Sequence, residues 1–283
     1  MTATTWFDGL LSLLAIMGLY TLLLFVARKL KDHLTPYRLT EQLGIRDNPA
    51  VGLALIGYLL AVTLIFIGVH MGPSAGSLLE DLLIMAGYSL LGLLFLTLSR
   101  WSLDHLMFKK FGNLAAIVEQ RSMGMAMVRF GVYVATGLVA AASLAGSGGG
   151  VLSAVVFFLL GQGVLILFTR LYDLATPYDL QQEVSAGNTA AGIAFGGSIM
   201  ALGLIIAKGI FGDFVSWSRS LLEFAEVVIL GIVLLLLVRQ IIDFLLMPGH
   251  DLDKEIVEDR NVAAGLLELG GSLCFALVLA ALL

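Results

Sequence analysis

NTAAGIAFGGSIMALGLIIAKGIF, residues 188–211, opens on an asparagine and then runs through residues 189–207 without a charged side chain. Asn188 is a residue type that caps helices, because its side-chain oxygen accepts from the free N–H groups of the first turn. The apolar run matches the ~20 residues a helix needs to cross a bilayer. In hydrocarbon the backbone has no water partners, so a helix is the form that satisfies it within the segment. Working outward from this stretch, seven further apolar runs cover residues 9–27, 49–70, 82–99, 124–145, 151–169, 221–238 and 262–283. Composition agrees: 59% of the 283 residues are hydrophobic and 13% charged, against about 45–50% and about 25% in soluble domains. The fold class expected is all-α, a polytopic transmembrane bundle of eight helices, with lipid covering the surplus apolar surface.

The links between runs alternate in length. Polar loops of about 20 residues join the first run to the second, the third to the fourth, and so on. Shorter links such as Met71-Gly72-Pro73-Ser74 and Gly146-Ser147-Gly148-Gly149-Gly150 join the resulting hairpins. The glycine cluster follows no strand, so it reads as a flexible link and not as a phosphate loop. Of the 16 Lys and Arg, only Lys208 and Arg219 lie on the short-link side, and Arg129 lies within a helix. The rest mark the long loops, which the positive-inside rule places in the cytoplasm with both termini outside.

Four hairpins repeat one pattern. Each odd helix ends in an Arg with an Asp about one turn later: Arg28/Asp32, Arg100/Asp104, Arg170/Asp173 and Arg239/Asp243. That spacing lets each pair meet at the membrane edge. Each even helix opens on a capping residue, Asn48, Ser122, Asn188 or Asn261, with Pro49 at the first helical position of the first. Four residues after the cap stand Gly52, Ala126, Gly192 and Gly265; nine after it stand Gly57, Gly131, Gly197 and Gly270. Small residues let membrane helices approach closely, so these faces are expected to build the bundle core. Alternate caps lie 140 and 139 residues apart, which divides the chain into two four-helix halves, 1–146 and 150–283, with the glycine-rich join at 146–150. The hairpins all run the same way, as parallel repeats about axes along the membrane normal. Short amphipathic stretches at 37–43, 178–184 and 251–257 are expected to lie at the cytoplasmic interface.

The acidic amphipathic stretch, the following Asn-x-Ala-Ala-Gly and the later glycine resemble a bacterial inner-membrane family catalogued as domain of unknown function 350. Residues 178–197 and 251–271 carry the likeness best. Residues 48–52 match it with Pro49 and Val51 in the run; the second repeat departs, with Ser122 for Asn. The resemblance implies an integral protein of the bacterial inner membrane and brings no activity with it.

No catalytic residue, metal site or cofactor site is expected. His33, His70, His105 and His250 stand at no metal-ligand spacing, and Cys274 is the only cysteine. Nucleophile-elbow, zinc-protease and Walker motifs are absent, so the chain does not read as an enzyme. A net charge of −5 gives no reason to expect nucleic acid as a partner. The partners expected are the lipid bilayer and cytoplasmic or membrane proteins meeting the long loops. The leading reading is a non-enzymatic membrane scaffold or interaction protein. The alternative is a small-ion channel or transporter, motivated by Arg129, Glu268 and Glu226 within apolar runs. Arg129 and Glu268 each lie seven residues after a cap, in equivalent hairpins of the two halves. Unpaired charges at that depth are expensive, so they are expected to form an intramembrane ion pair across the interface between the halves.

Overall fold

The computed structural model describes residues 3–110 and 112–283, with side chains from Gly9 onward. Among the described residues it is helical throughout, with eight long helices of membrane-spanning length and composition. The odd-numbered runs form α1 (Ala3–Leu34), α4 (Leu78–Ser102), α7 (Gly150–Ala175) and α10 (Trp217–Leu246). Their helices outrun the apolar stretches, because the charged turns after Arg28, Arg170 and Arg239 stay helical. Beyond Arg100 the chain continues from α4 into a π-helical turn, Leu103–Met107. The even runs form α3 (Pro49–His70), α6 (Met123–Ala145), α9 (Thr189–Ile210) and α12 (Val262–Leu282). Six-residue helices lie within the long loops: α2 (Leu39–Gly44), α5 (Asn113–Val118), α8 (Leu180–Ser185) and α11 (Leu252–Val257).

The bundle has two layers. In one, α3, α6, α9 and α12 run parallel in a row, each packed on the next. In the other, α1, α4, α7 and α10 lie across that row: α4 touches α3 and α6, α7 touches α6 and α9, and α10 touches α9 and α12. The two halves of the chain are therefore not separate bodies, since α6 and α9 join them. The row is tight because its helices meet backbone to backbone. An added Cβ on Gly57 would lie 2.7 Å from the Cα of Phe130, and one on Gly265 would lie 2.6 Å from the oxygen of Ala190. Gly131, Gly192 and Gly197 face the backbones of Gly196, Gly124 and Leu269 at similarly close range. Two of the expected packing glycines do not belong to this set. A Cβ on Gly52 would meet only the Leu43 side chain at 3.6 Å, and one on Gly270 would meet nothing within 4 Å. The reason is their place, on the outer faces of the first and last helices of the row.

The four caps form. Asn48 accepts from the N–H of Ala50 at 3.1 Å and Val51 at 3.3 Å, Ser122 from Met125 at 3.2 Å, Asn188 from Ala191 at 3.1 Å and Asn261 from Ala263 at 3.0 Å. The asparagine amides do a second job that capping chemistry alone does not foretell. Asn48 donates to the Ile117 carbonyl at 3.0 Å, and Asn188 donates to the Ile256 carbonyl at 2.8 Å. Each therefore ties its hairpin to the loop helix of the next.

The repeated aspartates also serve the loop helices. Asp32, Asp173 and Asp243 accept from the N–H of Leu39, Leu180 and Leu252, at 2.9, 2.9 and 2.8 Å, at the start of α2, α8 and α11. Of the four expected Arg/Asp pairs, only Arg100 and Asp104 come within ion-pair range, at 3.9 Å. Arg170 instead donates to the Leu106 carbonyl at 2.8 Å, and Arg239 turns to other carboxylates. A carboxylate that accepts from a helix start is already committed, and the arginines reach past it. The glycine-rich join is also held in place: Ser147 donates from its N–H at 3.0 Å and its hydroxyl at 2.5 Å to Asp213, and accepts from the Phe214 N–H at 2.9 Å.

Candidate functional site

The buried charges gather at the loop end of the bundle in two clusters, one in each half. In the first half, the end of α4 and the π-helical turn after it bring Arg100 and Asp104 against α6, where Arg129 is ion-paired with Asp104. Lys31 of α1 is buried beside them. Its ammonium sits 4.5 Å from the Tyr58 ring and 4.6 Å from the Tyr133 ring, and lies 3.4 Å from the Ala54 carbonyl oxygen that accepts from it. An ammonium over aromatic faces is held by the ring quadrupoles, more strongly once desolvated. Asn113 of α5 donates to Asp104 at 3.2 Å and to the Phe108 carbonyl at 2.8 Å. This cluster thus gathers Arg100, Arg129 and the Lys31 amine around one carboxylate, and among the described residues the Nε of Arg129 has no hydrogen-bond partner.

The second half inverts the signs. Glu268 of α12 is 0% exposed. It accepts from the Tyr172 hydroxyl at 2.6 Å and from the Nε of Arg239 at 3.2 Å, with Ser198 at 3.5 Å. Arg239 also pairs with Asp253 of α11 and lies 5.9 and 5.8 Å from the Tyr172 and Tyr178 rings. A hydrogen-bonded chain ties α4, α6 and α7 together: Ser99 meets Thr136 at 2.7 Å, Thr136 donates to Gln162 at 3.4 Å, and Gln162 donates to Ser102 at 3.1 Å.

The ion pair expected between Arg129 and Glu268 does not form. Each charge is answered inside its own half, by Asp104 and by Arg239. Equal depth and an equivalent face do not make neighbours here, because α9 stands between α6 and α12 in the row. Neighbouring helix axes are about 8–10 Å apart, so the two charges are a full helix from each other. Phe195, which occupies the matching position of α9, is fully buried and packs on Tyr172 and Phe108 with ring centroids 5.2 and 5.6 Å apart.

Several members of the clusters escape the repeat pattern. Lys31 reads as one more loop cation, yet α1 carries it under the bundle. Tyr58 and Tyr133 lie ten and eleven residues after their caps, and the matching residues of the second half are Ser198 and Ser272. Lys31 and Tyr172 each precede the repeated aspartate. The register that revealed the caps therefore also contained these positions.

Outside the membrane-spanning segments, burial pushes the Tyr37 and Tyr178 hydroxyls above the ordinary tyrosine value. Lys110 bonded to Asp179 holds that carboxyl below the usual range, and the Asn261 amide does the same for Glu255. At the opposite end of the bundle, a cavity of about 410 Å³ opens between the short links, bordered by Tyr88, Ser147, Phe157, Asp213 and Glu223.

The family model described as Domain of Unknown Function (DUF350) matches the chain twice, over residues 5–144 and 147–283. The chain belongs to this family. One DUF350 unit corresponds to two hairpins, and its two copies meet where α6 packs on α9. The UPF0719 transmembrane protein YshE of Bacillus subtilis (strain 168) is 32% identical over 117 residues, which are 41% of this chain and 82% of that protein. It is therefore about half as long as the present chain. No solved structure matches. This chain is a multi-pass membrane protein of the DUF350 family, and the family description assigns no activity.

Proposed function

We propose that this DUF350 chain is a non-enzymatic scaffold of the bacterial inner membrane. Its long loops face the cytoplasm, its termini lie outside, and the four short helices α2, α5, α8 and α11 form the face that meets protein partners. The observation that carries this reading is the closure of the intramembrane charges. Arg129 is answered by Asp104 and Glu268 by Arg239 and Tyr172, all at one end, while the row beyond them packs glycine to backbone. Polar groups arranged this way hold helices in register; a conduction path needs polar lining that continues through the bilayer. The orientation is supported by the crowding of Lys and Arg on the long loops. The non-enzymatic reading is supported by burial: Glu268, and the Tyr172 and Ser198 hydroxyls it accepts from, lie inside the bundle and out of a substrate's reach.

A second reading, movement of a small ion, is favoured by one feature. Arg100 and Arg129 outnumber Asp104 in the first cluster, with the Lys31 amine buried beside them. Flux of Na⁺, K⁺, H⁺ and Cl⁻ in proteoliposomes separates the two readings. The scaffold reading expects flux equal to that of protein-free vesicles. Selective flux that disappears in Glu268→Gln or Lys31→Met overturns it.

A further inference from the structure

The row of even helices repeats one interface three times and then stops with its next contact unmade. Nine residues after each cap, Gly57, Gly131 and Gly197 lie against the residue eight after the following cap, which is Phe130, Gly196 and Leu269 in turn. In α12 that glycine is Gly270, with open space around it. Thirteen after the cap, Ala61 and Ala135 abut Gly137 and Gly203, whose added Cβ atoms would come within 2.6 and 2.5 Å of the alanine Cα atoms. In α12 that position is Cys274, which is exposed.

A second register, toward the other layer, ends the same way. Seventeen residues after the cap, Ile65, Val139 and Ile205 fill the notches at Gly92, Gly161 and Gly231 on the odd helix of the next hairpin. In α12 that residue is Val278, 58% exposed. At the loop end, Asn48 and Asn188 donate to carbonyls five residues before the following cap, whereas among the described residues the amide of Asn261 bonds only Glu255 of its own hairpin. The far edge of the row carries the complementary half. On α3 the residue eight after the cap is Ile56, 54% exposed, and Leu60 and Ile67 continue the same open stripe.

We infer that a second copy of this chain covers the free face of α12 with its own α3, in the register of the three internal contacts. Gly270 then receives Ile56 of the second copy, Cys274 faces its Thr63, and the Asn261 amide reaches its Leu43 carbonyl. Small residues on α12 admit the close approach that membrane helices need, because packing drives their association where lipid is as apolar as leucine. The contact joins two different faces, so it runs head to tail and extends the row from copy to copy, closing into a ring or continuing open. The half-length relative points the same way: in a chain of that size, the contact made here by α6 and α9 is available only between separate copies. Two details differ at the new junction. Twelve residues before its repeated aspartate, where Gly92, Gly161 and Gly231 leave a notch, α1 carries Tyr20, whose hydroxyl meets that of Thr63 at 2.8 Å, so Val278 finds no notch there. Arg121 and Arg260 donate to carbonyls of the preceding loop, and Asp47 stands at that place in the first hairpin, so this bond is not repeated. The inference stands on the repeat geometry and is independent of the scaffold reading.

The test is oxidative cross-linking in native membranes with copper–phenanthroline. Cys274 is the only native cysteine, so Thr63→Cys places one thiol on each face. Backbones in this register are close enough for a disulfide, whose Cα atoms lie about 4.4–6.8 Å apart. The expected result is a ladder of intermolecular products in Thr63→Cys. The ladder should vanish when Cys274→Ala is added and be missing when the new thiol is instead Leu90→Cys, on an exposed face of α4. Ile56→Cys with Gly270→Cys in the Cys274→Ala background is a second pair, should Thr63→Cys fold poorly. Absence of cross-links from both pairs overturns the proposal. So do Cys274-to-Cys274 dimers of the unaltered chain, which mark a symmetric α12 contact, and so does a disulfide within one chain.

Discussion

Asn188→Ala should be more damaging than Asn261→Ala, and the structure says by how much. Asn188 is 0% exposed, and its side chain caps α9 through Ala191 while its amide bridges to Glu183 at 2.9 Å and to the Ile256 carbonyl. Loss of a cap costs about 0.5–2 kcal/mol. Leaving the buried Ile256 carbonyl without its donor adds about 1–3 kcal/mol. The expected loss is therefore roughly 1.5–5 kcal/mol. Asn261→Ala removes a cap at a partly exposed site with no crossing bond, so about 0.5–2 kcal/mol is expected there. Asn188→Ser separates the two contributions: serine keeps the cap, as Ser122 does, and loses the crossing, leaving a loss of about 1–3 kcal/mol. The assay is equilibrium unfolding by denaturing detergent, at protein dilutions where copies do not meet. Equal losses for Asn188→Ala and Asn261→Ala, or wild-type stability in Asn188→Ser, would refute the tie between hairpins.

Gly131→Val forces a side chain into the backbone of α9 and should destabilise by about 1–3 kcal/mol or more, whereas Gly270→Val, pointing into open space, should leave the stability of the single copy within about 0.5 kcal/mol; the same detergent titration compares them. Thiol labelling in the Cys274→Ala background should reach Gln182→Cys only from the cytoplasmic face and Ala75→Cys only from the outer face, and the reverse pattern sinks the proposed orientation. Ser147 holds the Asp213 carboxyl below the usual carboxylate range. A depressed folded value means stabilisation that is present above the unfolded value and lost as pH falls through the folded one. The protection of the Ser147 amide from hydrogen exchange, relative to its intrinsic rate at each pH, should therefore fall on acidification, and Asp213→Asn should remove that pH dependence.

The elements of this bundle are legible in the sequence to different depths. The eight long helices follow from apolar runs of spanning length, and the caps follow from asparagine and serine placed just before four of them. Helix α5 is not announced, because Asn113–Val118 carries no charge and shows no amphipathic face. The repeated aspartates look like partners for arginine, since spacing shows which residues share a helix face and not which loop helix folds back on them. The misplaced Arg129–Glu268 pair has the same origin. Helical periodicity gives depth and face, but the order of helices in the row decides who meets whom, and that order comes from glycine contacts between helices remote in sequence. Gly52 and Gly270 make the same point: their registers match Gly192 and Gly197, and only their positions at the ends of the row leave them uncovered.

The claim at the centre of this account is that each half of the chain satisfies its own intramembrane charges. Two double-mutant cycles test it directly, both built on Glu268→Leu, one with Arg239→Leu and one with Arg129→Leu, and both read by unfolding free energy. The account predicts a coupling of about 0.5–3 kcal/mol between Arg239 and Glu268, and additivity within about 0.3–0.5 kcal/mol between Arg129 and Glu268. A strong coupling between Arg129 and Glu268, with none between Arg239 and Glu268, would contradict it.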